Sequence, residues 1–199
     1  MGDRLFDWLY GVIARPVETL NEIAREKPAG WGFFIYLAVS LLSGVAVTFQ
    51  QYRYGMVDEA MQEFAITIPP VVLIIGGFFF TVVSLFVFTL ALHLFARLFG
   101  GRGGYWNFFS AYTFASFPSI IGVPVSFLAA LLGWAGMLLS SLAGFGISIW
   151  VLVLHVIALR ESHGLSTGMS VLAYIITFVI LFAIPVALAI AAIIALFAF

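Results

Sequence analysis

Long apolar runs dominate the chain, and the polar positions between them are spaced like loops rather than like one face of soluble helices. No Asp, Glu, Lys or Arg occurs at 64–96, 103–159 or 162–199, and 31–50 is a further uncharged run. A helix needs about 20 consecutive apolar residues to cross a ~30 Å hydrocarbon core. The pattern therefore predicts five transmembrane helices, at about 31–50, 70–98, 108–132, 137–159 and 169–198. Pro69-Pro70 opens the second span, a tight bend near Gly133–Gly136 separates the third from the fourth, and Pro185 falls near the middle of the fifth. The connections read as a polar loop carrying Arg53, Asp58, Glu59 and Glu63, a flexible Gly100–Gly104 turn around Arg102, and a loop over Arg160–Gly168.

The polar N-terminal segment has a different rhythm. Leu5, Trp8, Leu9, Val12 and Ile13 recur at helical spacing, with Asp3, Arg4, Asp7 and Arg15 on other faces. Pro16 suits the first turn of a second short helix, which Pro28 and Gly30 end. That helix sets Val17, Leu20, Ile23 and Ala24 against a solvated stripe of Glu18, Glu22 and Glu26. The expected organisation is an all-α membrane protein: an amphipathic interfacial arm over 1–30, with Trp8 and Tyr10 at headgroup depth, and a five-helix transmembrane domain over 31–199.

Composition and charge sharpen this picture. Of 199 residues 64% are hydrophobic and 9% charged, where a soluble domain has roughly 25% charged residues. The implied partner is the lipid bilayer. A net charge of −1 gives no electrostatic footprint for nucleic acid. Cysteine is absent, which removes disulfides and thiolate metal sites, and no cofactor is implied. Asp3, Arg4 and Asp7 interrupt any signal-peptide core, so the arm is expected to be retained. With a cytoplasmic N-terminus, Arg4, Arg15, Arg25, Lys27, Arg97, Arg102 and Arg160 all fall inside and only Arg53 outside. This positive-inside bias predicts a multi-pass protein of the cell membrane with its C-terminus outside.

Several residues are candidates for chemistry. Pro118, Gly122 and Pro124 in the third span should kink or unwind it. The break reads either as a packing kink or as a ligand-binding site that Ser116 and Ser119 would flank. His93 and Arg97 share a face of the second span, and His155 is expected at a similar depth in the fourth. No recognised metal-ligand spacing is present; the weak candidates are His93, His155, His163 and Glu161. No nucleophile–base pairing or intramembrane aspartate pair stands out, so a non-enzymatic protein is expected. Small residues at helical spacing (Ser40/Gly44, Ala111/Ala115, Gly144/Ser148, Ala187/Ala191/Ala195) point to close internal packing, or to a homo-oligomer seam.

Gly103-Gly104-Tyr105 leading to Ala111-Tyr112-Thr113-Phe114-Ala115-Ser116-Phe117-Pro118 resembles the glycine-rich turn and proline-containing third span of the Yip family, the Ypt/Rab-interacting membrane proteins. Leu159-Arg160-Glu161-Ser162-His163-Gly164-Leu165-Ser166-Thr167-Gly168 resembles the loop before the last span in its short prokaryotic branch, and Arg15-Pro16-Val17-Glu18-Thr19-Leu20 fits that branch's arm. The resemblance implies five spans and a cytoplasmic N-terminus. Eukaryotic relatives are linked to Rab GTPases and vesicle traffic and carry an Asp-Leu-Tyr-Gly-Pro motif. Here Leu9-Tyr10-Gly11 stands between Trp8 and Val12. The expected function is a membrane scaffold or adaptor that engages a membrane or cytosolic protein partner through residues 3–27. The alternative is a small transporter or lipid-handling protein built on the broken third span.

Overall fold

A computed structural model describes residues 2–55 and 69–197 of the chain. Asp58, Glu59 and Glu63, and the side chains of Asp3, Pro185, Ala187, Ala191 and Ala195, lie outside the described residues. The arm is two helices, α1 (Gly2–Ala14) and α2 (Pro16–Glu26), followed by α3 (Ala29–Arg53) and α4 (Pro70–Leu98). The third span is divided into α5 (Tyr105–Ala115), a 3₁₀ turn (Phe117–Ile121) and α6 (Gly122–Ala129). Then come α7 (Gly133–His163) and α8 (Thr167–Phe197). Five segments are long and apolar enough to cross a membrane: Ala29–Arg53, Pro70–Leu98, Tyr105–Ala129, Gly133–His163 and Thr167–Ile184. Phe80, Leu142, Phe145, Phe178 and Phe182 point outward from them, and such a belt is costly in water but not against lipid tails.

Hydrogen bonds between helix ends fix the alternation of direction. At the arm end, the Arg102 amide donates to the His163 carbonyl at 3.0 Å, and Asn21 Nδ2 donates to Glu161 Oε2 at 2.8 Å. At the opposite end, Tyr54 Oη donates to the Ala129 carbonyl at 2.7 Å, and Gln50 Nε2 donates to Ser140 Oγ at 2.7 Å.

The third span breaks where its prolines demand it. Pro118 cannot supply the amide hydrogen that an α-helix needs, so the chain tightens into the 3₁₀ turn, and α6 restarts at Gly122. Several expected boundaries differ from the observed ones; Gly133–Gly136, expected as a bend, is the first turn of α7, and the bend lies at 130–132. Arg160–His163 forms the last turn of α7 instead of a loop, because basic side chains suit a helix C-terminus and Gly164, at φ 67°, supplies the left-handed cap. The Gly100–Gly104 segment is a turn, but a closely packed one. Gly100 (φ 88°) and Gly101 return their amides to the Arg97 and Ala96 carbonyls, closing the end of α4. Gly101 then lies against Ala96 and His163, and Gly103 against the Ser162 carbonyl, too close for any β-carbon.

The arm does not stand apart from the bundle. Trp8, Val12, Leu20, Ile23 and Ala24 share one buried cluster with Ala111, Phe114 and Ala115 of α5 and Leu154 and Ala158 of α7. Trp8, expected at headgroup depth, is buried edge-on to Phe114 with ring centroids 5.7 Å apart. Its indole N–H donates to Glu22 Oε1 at 3.0 Å. An amphipathic face needs an apolar cover, and protein supplies it here. Tyr10 is exposed, as are Phe6, Ile13 and Val17, so Val17 does not join the buried side of α2. Part of the acidic stripe is also engaged: Arg4 pairs with Glu22 and Glu26. Those carboxylates, Glu26 first through its hydrogen bond, hold the Arg4 guanidinium above its ordinary range.

Among the small-residue pairs, Ala111 and Ala115 are buried under the arm. A β-carbon at Gly44 or Gly144 would meet open space, so neither marks a close helix approach. The tight approaches are at Gly11 on Thr19, Gly32 on Thr113 and Phe114, and Gly136 on the Ala129 carbonyl.

Candidate functional site

Tyr112, Tyr174, Ser116 and His155 lie within otherwise apolar spans, and a buried hydroxyl or imidazole needs a partner. They find one another where α5, α7 and α8 meet. His155 Nε2 lies 2.9 Å from Ser116 Oγ, and His155 Nδ1 lies 3.1 Å from Tyr174 Oη. Ser116 Oγ donates to the Tyr112 carbonyl at 3.1 Å. Nε2 must then carry the imidazole proton and donate to Ser116, while Nδ1 accepts from Tyr174. Tyr112 stacks flat on His155, with ring centroids 3.9 Å apart.

This relay forms the floor of a cavity of about 770 Å³ between α4, α7 and α8. Its inner wall includes Tyr36, Leu85, Tyr112, Ser119, His155 and Tyr174. Phe80, Leu152, Ile175, Phe178 and Val179 line it further out and are exposed on the bundle surface. The cavity therefore runs from a buried polar floor to an apolar rim that continues into the lipid-facing belt.

A second polar cluster closes the arm end. His93 Nδ1 lies 2.9 Å from His163 Nε2, and His163 Nδ1 lies 2.9 Å from Ser162 Oγ. Beside it, Tyr105 Oη bonds to Thr89 Oγ1 at 3.0 Å. Glu161 faces the other way, toward Asn21 and toward Arg160 at 2.7 Å. The four residues Arg160 to His163 thus fasten the arm on one side and the α4–α5 turn on the other.

The expected site residues divide between these places. Ser116 holds His155 from behind the cavity wall, and Ser119 lines the cavity while donating to the Ser116 carbonyl at 2.6 Å. Pro118 is buried in the 3₁₀ turn; Gly122 and Pro124 begin α6 and do not line the cavity. Arg97 is exposed at the end of α4. His93 and His155 do not share a level: His93 meets His163, which is eight residues beyond His155 and so about 12 Å further along α7. The weak metal set His93, His155, His163 and Glu161 is accordingly split over three locations, and no group of three His, Asp or Glu converges among the described residues.

Sequence reasoning missed Asn21, Tyr105, Tyr112 and Tyr174. Tyr112 and Tyr174 carried a readable signal, since each puts a hydroxyl inside a span without any charge. It also missed that folding brings a serine and a histidine to hydrogen-bond distance. Ser116 and His155 are 39 positions apart, so no local motif could announce them.

Five helices long and apolar enough to cross a membrane, with an apolar exterior, make this a multi-pass integral membrane protein. The chain belongs to the Yip1 domain family, whose match extends over residues 10–197. No curated protein and no solved structure matches it.

Proposed function

We propose that the protein is a non-enzymatic, lipid-handling member of its family that holds a membrane-soluble molecule within the bundle. The observation that carries this reading is the cavity, whose volume of about 770 Å³ falls in the ~300–1,000 Å³ range of small-molecule sites. Its make-up, an apolar lining with a few convergent polar groups, is also that of such sites. The Ser116–His155 pair reads as a tie between helices. The second nitrogen of His155 is held by a phenol instead of a carboxylate, and Ser116 does not line the cavity.

The test is the melting midpoint of the purified protein with and without lipid extract from its host membrane. A ligand present at ~100 times its Kd adds about 2.7 kcal/mol, and the rise should fall in Ile175→Trp, which obstructs the mouth of the cavity. An unchanged midpoint, or an equal rise in the obstructed variant, contradicts the reading.

The outer face of the arm favours a second reading as an adaptor. With its other face buried in the bundle, the arm holds Phe6, Tyr10, Ile13 and Val17 exposed along one side. In this reading the arm faces the cytosol, as the concentration of basic residues at its end of the bundle suggests. A photo-crosslinker at Tyr10 would trap a protein partner; lipid adducts alone would count against it.

A further inference from the structure

Resting on the cavity reading above, we infer that the ligand is an uncharged lipid with a free hydroxyl and ester carbonyls, of the diacylglycerol class, bound hydroxyl-first against Tyr174 and Ser119.

Charge sets the first restriction. None of the 17 lining residues is Asp, Glu, Lys or Arg. A charged head at the floor would lose its water and gain no counter-ion. Hydrogen-bonding capacity sets the second. Tyr174 spends its single proton on His155 and keeps its lone pairs for accepting. Ser119 spends its proton on the Ser116 carbonyl and keeps both lone pairs. The floor therefore offers acceptors, and a head that fits it must donate.

The wall sets the third. Ser84, half-buried, and Ser148, exposed toward the rim, line the cavity and make no hydrogen bond among the described residues. Their hydroxyls are donors available to carbonyl groups that lie between the head and the rim. Route sets the fourth. The exposed rim of Phe80, Phe178 and Val179 is continuous with the lipid-facing surface, so acyl chains can pass out between the helices while the head stays inside. Hydroxyl first, esters next and apolar chains last is the order of groups in a diacylglycerol.

The experiment uses the full chain in phosphatidylcholine nanodiscs, with three photo-crosslinkable probes carrying the same diazirine acyl chain. These are a diacylglycerol, the matching phosphatidic acid, which is charged, and the matching triacylglycerol, which has no hydroxyl. Adducts are mapped by mass spectrometry. The diacylglycerol should label 80–88, 147–155 and 174–179 about tenfold more than either other probe, the loss expected for one unmade hydrogen bond or an unpaired charge. Ile175→Trp, or Ser148→Leu should the former fold poorly by size-exclusion, should reduce that labelling. Equal labelling of these segments by all three probes, reduced in the obstructing variants, would overturn the ligand class and leave the cavity reading standing. Labelling that the obstructing variants do not reduce, or none in these segments, would overturn both.

Discussion

Gly103→Ala is expected to lower the melting midpoint of the protein by several degrees, and Gly44→Ala to leave it unchanged. A β-carbon on Gly103 would collide with the carbonyl of Ser162, its carbon and the Cα of His163. These are backbone atoms at the end of a 31-residue helix, so no rotamer change relieves the clash. Either the turn after α4 or the last turn of α7 must move. The same movement would strain the Arg102 to His163 hydrogen bond and the His93–His163 pair. Overpacking of this kind costs about 1–3 kcal/mol, and in a chain of this size each kcal/mol corresponds to roughly 2–4 °C. At Gly44 the added methyl meets nothing within 4 Å. A scan of both variants in one detergent checks the pair. Equal midpoints would mean that the glycine-rich turn is not packed as described.

The second large effect is at His155, where two replacements separate packing from hydrogen bonding. His155→Phe can keep the ring stacked on Tyr112 but removes the hydrogen bonds to Ser116 and Tyr174. Interhelical hydrogen bonds within membranes average ~0.6 kcal/mol and reach about 1.7, so two lost bonds should cost roughly 1–3 kcal/mol. His155→Ala removes the stacked ring as well, and the void beside Tyr112 adds a cavity term, for a total of about 3–5 kcal/mol. Unfolding in graded detergent should rank wild type above Phe and Phe above Ala. A Phe variant as stable as the wild type would show that the relay does not tie α5, α7 and α8 together.

The sequence made the gross architecture readable because lipid leaves a chain few choices: uncharged stretches of 20 or more residues must satisfy their own backbone, and helices do that. The break at Pro118 was equally legible, since the missing amide hydrogen is a property of the residue itself. The seat of the arm was not. The stripe containing Trp8, Val12, Leu20 and Ile23 needs an apolar cover, but periodicity does not say whether lipid or protein provides it. Phe114, Leu154 and Ala158 provide it here. The depth of the histidines failed for a related reason. His93 and His155 occupy comparable positions from their span ends, but their partners depend on the direction each faces around its helix and on the four residues by which α7 outlasts its expected end. The polar floor of the cavity needed three helices to be placed before Ser116, Tyr174 and His155 could be seen as one group.

A cavity reachable from the lipid phase lies within the bundle, and site-directed spin labelling can probe it from both solvents. The native chain has no cysteine, so Ser84→Cys and Ser119→Cys, both half-buried on the cavity wall, each accept a single nitroxide without background. In bilayers the account predicts mobile spectra, ready collision with dissolved oxygen and little collision with a water-soluble nickel chelate. Immobilised labels reached by neither reagent would mean that the helices close tightly at this level, and the cavity as described would not exist.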